Sequence, residues 1–245
     1  MHSALSDLLE AEKLLTSIIS VEGIFFVEVM AGECVITLGV LMRRVPCLKP
    51  WDIVFGEAWN VLTHGQILMD LAEKGRIDAY IGMPCQSFTH AKLPALRDAE
   101  FPEGKPGLTA RQQNLADMGN ILAAWVLSFI MLLHIIHRYF TVENPYTSWL
   151  WWLPGWRKFK KRIGVIATLL QQRCYGWITR KDTFFLHNNP LLHRMGTSDM
   201  VCPSSDIALR GLCSYERQIV FNTKLSQSIW YHCQSSYGSS RRSSS

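Results

Sequence analysis

Short apolar runs that stop at a glycine, a proline or a lone polar residue, with helical periodicity between them, constrain this chain more than any other feature. Gly23-Ile24-Phe25-Phe26-Val27-Glu28-Val29, Ile77-Asp78-Ala79-Tyr80-Ile81 and Phe140-Thr141-Val142-Glu143 are such runs. They are too continuous to alternate between core and solvent, so they predict strands buried on both faces. A further strand is expected within 47–55, its limits blurred by Pro46 and Pro50, and two more at Cys174–Ile178 and Thr183–Leu186. Helices are expected over 34–43, over 63–74 with Gly75 as the C-terminal stop, and over a long stretch from Thr109 to Arg138. That last helix opens on Thr109-Ala110-Arg111-Gln112, a capping-box pattern. Alternating strands and helices predict an α/β fold with a mostly parallel sheet and helices on both faces. Ligands in such sheets lie at the carboxyl ends of the strands. Gly32, Cys85 and Glu143 each follow an expected strand, which would gather them on one edge.

The 245 residues suffice for one well-buried domain with small appendages. The organisation expected is an N-terminal helix within 1–22, with leucines and isoleucines from Leu5 to Ile19 at helical spacing, then the main α/β domain over 23–186. A short variable region over 187–233 and a serine-rich disordered tail over 234–245 would follow. A formal charge of +5 permits nucleic-acid contact without requiring it. The seven cysteines form no CxxC pair, and Met1-His2-Ser3-Ala4 lacks the basic flank and apolar core of a signal peptide. Both point to reduced thiols and an intracellular protein. Ile121 to Ile136 has only Ser128 and His134 as polar interruptions. It is short of the roughly 20 residues of a bilayer span, so a buried helix is expected over a membrane segment. His134 and His137 on that helix read as a buried polar pair. His187, His193, Cys202 and Cys213 are too irregularly spaced to suggest zinc, and no metal is expected.

Two loops carry the chemistry. Pro84-Cys85-Gln86-Ser87-Phe88-Thr89 follows one strand, and Glu143-Asn144-Pro145 ends another. A thiolate is the side chain suited to covalent addition at an electron-poor ring carbon, and a carboxylic acid can protonate the ring nitrogen as the adduct forms. The Pro-Cys-Gln and Glu-Asn pair, in this order, resembles motifs of the DNA (cytosine-5) methyltransferase family. The resemblance implies a Rossmann-like S-adenosylmethionine-dependent fold, with Cys85 as nucleophile on carbon 6 of cytosine and Glu143 acting at N3. Gln86 and Asn144 would shape the base pocket. DNA is the implied partner, with RNA left open and the oligomeric state unknown.

Glu28-Val29-Met30-Ala31-Gly32 resembles the family's first motif and implies cofactor contacts from Glu28, Ala31 and Gly32; Cys34 stands where the family has a second glycine. Asp52 or Glu57 would take the ribose hydroxyls. Tyr175 to Lys181 resembles a further family stretch, with Thr179 at its glutamine position and Lys181 at an arginine position, which implies a substrate-binding role for Lys181. The family's last motif has no counterpart in 205–233. Residues 89–108, with His90, Lys92, Arg97 and Lys105 among prolines and glycines, are expected to form a substrate loop. The departures keep a second reading open: a catalytically impaired relative that binds nucleic acid or protein.

Overall fold

Val27 and Val29 face one side of a sheet, Phe26 and Glu28 the other, and all four are buried. That double burial is why the run shows no alternation. The computed structural model describes residues 23–91, 93–171, 182–190 and 192–195. The expected helix within 1–22, the strand at 174–178, Thr179, Lys181 and all of 196–245 lie outside the described residues. β1 (Phe25–Val29), β2 (Ile77–Gly82) and β3 (Phe140–Pro145) lie side by side and parallel. β4 (Ile166–Gln171) and β5 (Asp182–His187) complete a five-stranded sheet in the order β1-β2-β3-β5-β4.

β5 runs antiparallel to both β3 and β4. The sheet is therefore mixed, which corrects the expectation of a mostly parallel one. Residues 172–181 are too few for the crossover of about a dozen residues that a parallel β4–β5 pair would need. The expected strand within 47–55 reduces to two parallel bridges on the outer edge of β1, Phe26 with Cys47 and Val29 with Trp51. Pro46 and Pro50 have no N–H to extend that ladder. The chain thus passes from one side of β1 to β2 on the other, the kind of reversal at which α/β sheets hold ligands.

Both faces are covered. Helix α1 (Val35–Leu41) brings Ile36 and Val40 against Phe26, Tyr80, Leu170 and Phe185. The opposite face holds α2 (Val61–His64), α3 (Gln66–Glu73), α4 (Ala110–Ile135) and α5 (Pro154–Phe159). Gly75, at φ 65°, ends the α3 region as expected. Thr109 and Gln112 cap each other at the start of α4. By length and composition α4 could cross a membrane; one side of it, including Val126, Phe129, Ile130 and Leu133, is buried in the core. It stops short of Arg138 because His137 adopts a left-handed φ of 58°. His134 and His137 therefore share no helix face: His134 packs edge-on to Phe140 and Phe159, while His137 is exposed.

The expected substrate loop is tied down at Arg97, which is only 1% exposed. Its guanidinium donates to the carbonyls of Ser87, Pro102 and Ala116 and to Asn120 Oδ1, and it lies over the Phe88 ring at 4.1 Å. Arg97 is thus a pin between the loop after Cys85 and α4, not a free substrate contact. Lys105 pairs with Asp98 at 3.3 Å. Arg97→Ala leaves several buried acceptors unpaired and should cost about 3 kcal/mol. Urea denaturation should show the loss, and limited proteolysis should show cleavage within 93–108; an unchanged midpoint and resistant loop would contradict this role.

Candidate active site at the ends of β1, β2 and β3

Parallel register sets Val29 beside Ile81 and Gly82 beside Glu143, so three strands end together. A side chain at Gly82 would meet the Met30 carbonyl at 2.9 Å, so glycine is what lets the ends of β1 and β2 approach. Cys85 follows in a turn closed by Phe88 N–H donating to the Cys85 carbonyl at 2.9 Å, and its side chain is half-buried. Asn144 donates through Nδ2 to the Met83 carbonyl at 2.6 Å and so binds the cysteine loop to β3. Its Oδ1 is buried without a partner. Tyr80 donates its hydroxyl to Glu143 Oε2 at 2.6 Å, joining β2 to β3 from within the sheet. Burial and the Glu143 carboxylate push the Tyr80 phenol well above its ordinary range, so it stays a donor. Gln86 is exposed at the rim.

The turn after β1 is unusual. Met30, Gly32 and Cys34 all have left-handed φ, at 55°, 50° and 56°. Cys34 is the N-cap of α1 and makes no side-chain capping bond. Glu28 supplies that function from within β1: Oε2 accepts from Thr37 N–H at 2.7 Å and Thr37 Oγ1 at 2.6 Å. A carboxylate facing the first turn is favoured by the helix dipole. Burial outweighs those bonds and raises Glu28 to about 7. Ala31 is half-buried and Gly32 exposed, with open space where a side chain would stand.

Of the two acids left open, Asp52 is the one at this turn: Oδ2 accepts from Gly32 N–H at 2.9 Å and Oδ1 from Val54 N–H at 3.0 Å. Glu57 is held by Thr63 and Asn60, whose hydrogen bonds lower it below the ordinary carboxylate range. Ile53, Val54 and Phe55 are exposed beside Asp52, an apolar surface that sequence reading missed. Its signal was three apolar residues directly after an acid. Cys34 and Cys47 are raised to about 11 and about 12, chiefly by burial and then by Glu28, so both are held as thiols.

Beyond the end of β3 lies a cleft of about 460 Å³ between His90 and residues Tyr146 to Lys160, with Phe184 of β5 in its wall. The tryptophans were visible in the sequence, but not that they would face the loop after Cys85.

Two expected outcomes follow from the first turn. Folding takes up a proton at Glu28 between pH 4.5 and about 7, so this group lowers stability as pH rises through that window. Glu28→Gln keeps an acceptor for Thr37 and should gain roughly 2–3 kcal/mol at pH 8 while flattening the profile. Parallel pH profiles for the two proteins would contradict it. Cys34→Gly should raise stability by about 1 kcal/mol by relieving the left-handed conformation; thermal melts check the sign.

No protein-family model matches this chain and no curated protein matches it.

Proposed function

We propose that the chain transfers a methyl group from S-adenosylmethionine to carbon 5 of cytosine in DNA, on a Rossmann-like methyltransferase fold, through a covalent adduct with Cys85. One observation carries the reading. The glycine turn with Asp52, the Cys85 loop and the Glu143-Asn144 pair converge on the carboxyl ends of three adjacent parallel strands. The crevice where connections reverse is where such sheets hold ligands.

The residues fit the cofactor. Asp52 keeps lone pairs free for ribose hydroxyls after accepting its two backbone bonds. Ile53, Val54 and Phe55 offer an apolar surface for adenine, and Gly32 leaves room above the turn. S-adenosylmethionine, when bound, supplies an electrophilic methyl group.

The Cys85 thiolate adds to carbon 6, and the displaced ring electrons move toward carbon 5 as Glu143 delivers a proton to N3. Tyr80 fixes the Glu143 carboxyl by holding its other oxygen. Once carbon 5 carries the methyl group, its proton passes to solvent water, the carbon 6–sulfur bond breaks to restore the free Cys85 thiolate, and N3 returns its proton to Glu143. The base must leave the stack for carbon 6 to be reached.

A specific observation favours the alternative of an impaired relative that binds nucleic acid or protein. Met30 and Cys34 hold left-handed backbone without being glycine, and side chains there crowd a cofactor's approach. One experiment separates the two. A 5-fluorocytosine duplex should trap a covalent complex with the full chain and cofactor, and Cys85→Ser should abolish both the complex and methyl transfer. Transfer that survives in Cys85→Ser eliminates this nucleophile; no transfer and no adduct from the unaltered chain favours the binding module.

A further inference from the structure

The cleft beyond β3 has a chemistry of its own. Its walls are aromatic: Trp149 stacks on His90 at 4.0 Å, and Trp152 stands 5.7 Å from Trp149. Trp152 is 44% exposed and Tyr146 53%. Two cations flank these rings, Arg157 over Trp152 at 5.9 Å and Lys160 over Phe184 at 5.8 Å. Among the described residues neither forms an ion pair, and none that lines the cleft is a carboxylate. Burial and the neighbouring Arg157 hold Lys160 below the usual lysine range, a repulsion that a bound anion would relieve.

The occupant must therefore offer a flat face to stack and negative charge close to that face. A nucleotide meets both: the base stacks, and the phosphate lies against the two cations. An acidic peptide offers charge but no flat face.

We infer that this cleft binds one unpaired nucleotide of a single-stranded nucleic acid, its base stacked on Trp152 and Tyr146 and its phosphate held by Arg157 and Lys160. The inference stands on the cleft alone. Under the methyl-transfer reading it gains a role, since His90 of the Cys85 loop and Tyr146 just after Glu143-Asn144-Pro145 both line it. The stacked nucleotide would then be a neighbour of the extruded cytosine, and the cleft would help hold the opened strand.

The test is fluorescence anisotropy of a labelled twelve-nucleotide single strand with the full chain, alongside the same sequence as a duplex. Arg157→Gln/Lys160→Gln should weaken single-strand binding roughly tenfold or more and lower the salt slope by about 1. Trp152→Ala should weaken it roughly tenfold through lost stacking. Trp152 and Arg157 are exposed and Lys160 is half-buried, and circular dichroism checks the fold. Lys74→Gln/Arg111→Gln removes equal charge elsewhere and should have little effect. Equal losses in the two double variants would reduce the binding to general charge and overturn the inference. So would tighter binding of the duplex, a glutamate-rich peptide that competes as well as the oligonucleotide, or a mononucleotide that binds as tightly as the strand, which would mark a free-nucleotide site. Cys85→Ser should keep the binding. Cleft-dependent binding without methyl transfer would sink the enzymatic reading alone, and methyl transfer unaffected by the cleft variants, with binding unaffected too, would sink this inference alone.

Discussion

The parallel register of β1, β2 and β3 decides where everything else can be. Because Val29 lies beside Ile81 and Gly82 beside Glu143, three loops leave the sheet at the same height and on the same edge. Slipping any of these ladders by one residue would turn its buried side chains to the opposite face. It would also break Tyr80 from Glu143 and Asn144 from the Met83 carbonyl. Those two bonds are short, partly or fully buried, and link residues far apart in sequence. They convert a sheet edge into a fixed arrangement of a thiol, a carboxyl group and an amide.

The first turn shows stability and binding in tension. Glu28 completes the N-terminus of α1, which Cys34 leaves uncapped, yet its burial disfavours the ionised form at neutral pH. Met30 and Cys34 hold left-handed backbone that glycine would adopt without strain. Asp52 accepts the Gly32 N–H from outside the turn and so limits its freedom. Strain of this kind persists where the surroundings over-determine it, and such positions cluster at ligand sites.

Much of this was legible in the chain. The runs ending at Gly32, Cys85 and Glu143 showed themselves because strands buried on both faces must be almost wholly apolar. The start of α4 was readable from Thr109 and Gln112, since a capping box is a local device. What stayed hidden depended on contacts distant in sequence. Arg97 read as part of a substrate loop, and only the fold brings the carbonyls of Ser87, Pro102 and Ala116 around it. The antiparallel direction of β5 was hidden for the same reason, because no pattern within Asp182–His187 says which way its neighbours run. The choice of Asp52 over Glu57 needed the bridge between Val29 and Trp51, which puts Asp52 at the turn.

The central claim is that the loops at the carboxyl ends of β1 and β2 hold S-adenosylmethionine. Isothermal titration calorimetry of the full chain with that cofactor tests it without requiring turnover or a nucleic-acid substrate. The account predicts one site of micromolar affinity, weakened roughly tenfold in Asp52→Asn through loss of charge-assisted hydrogen bonds to the ribose. No binding heat at millimolar cofactor, or identical affinity in the Asp52→Asn protein, would contradict it.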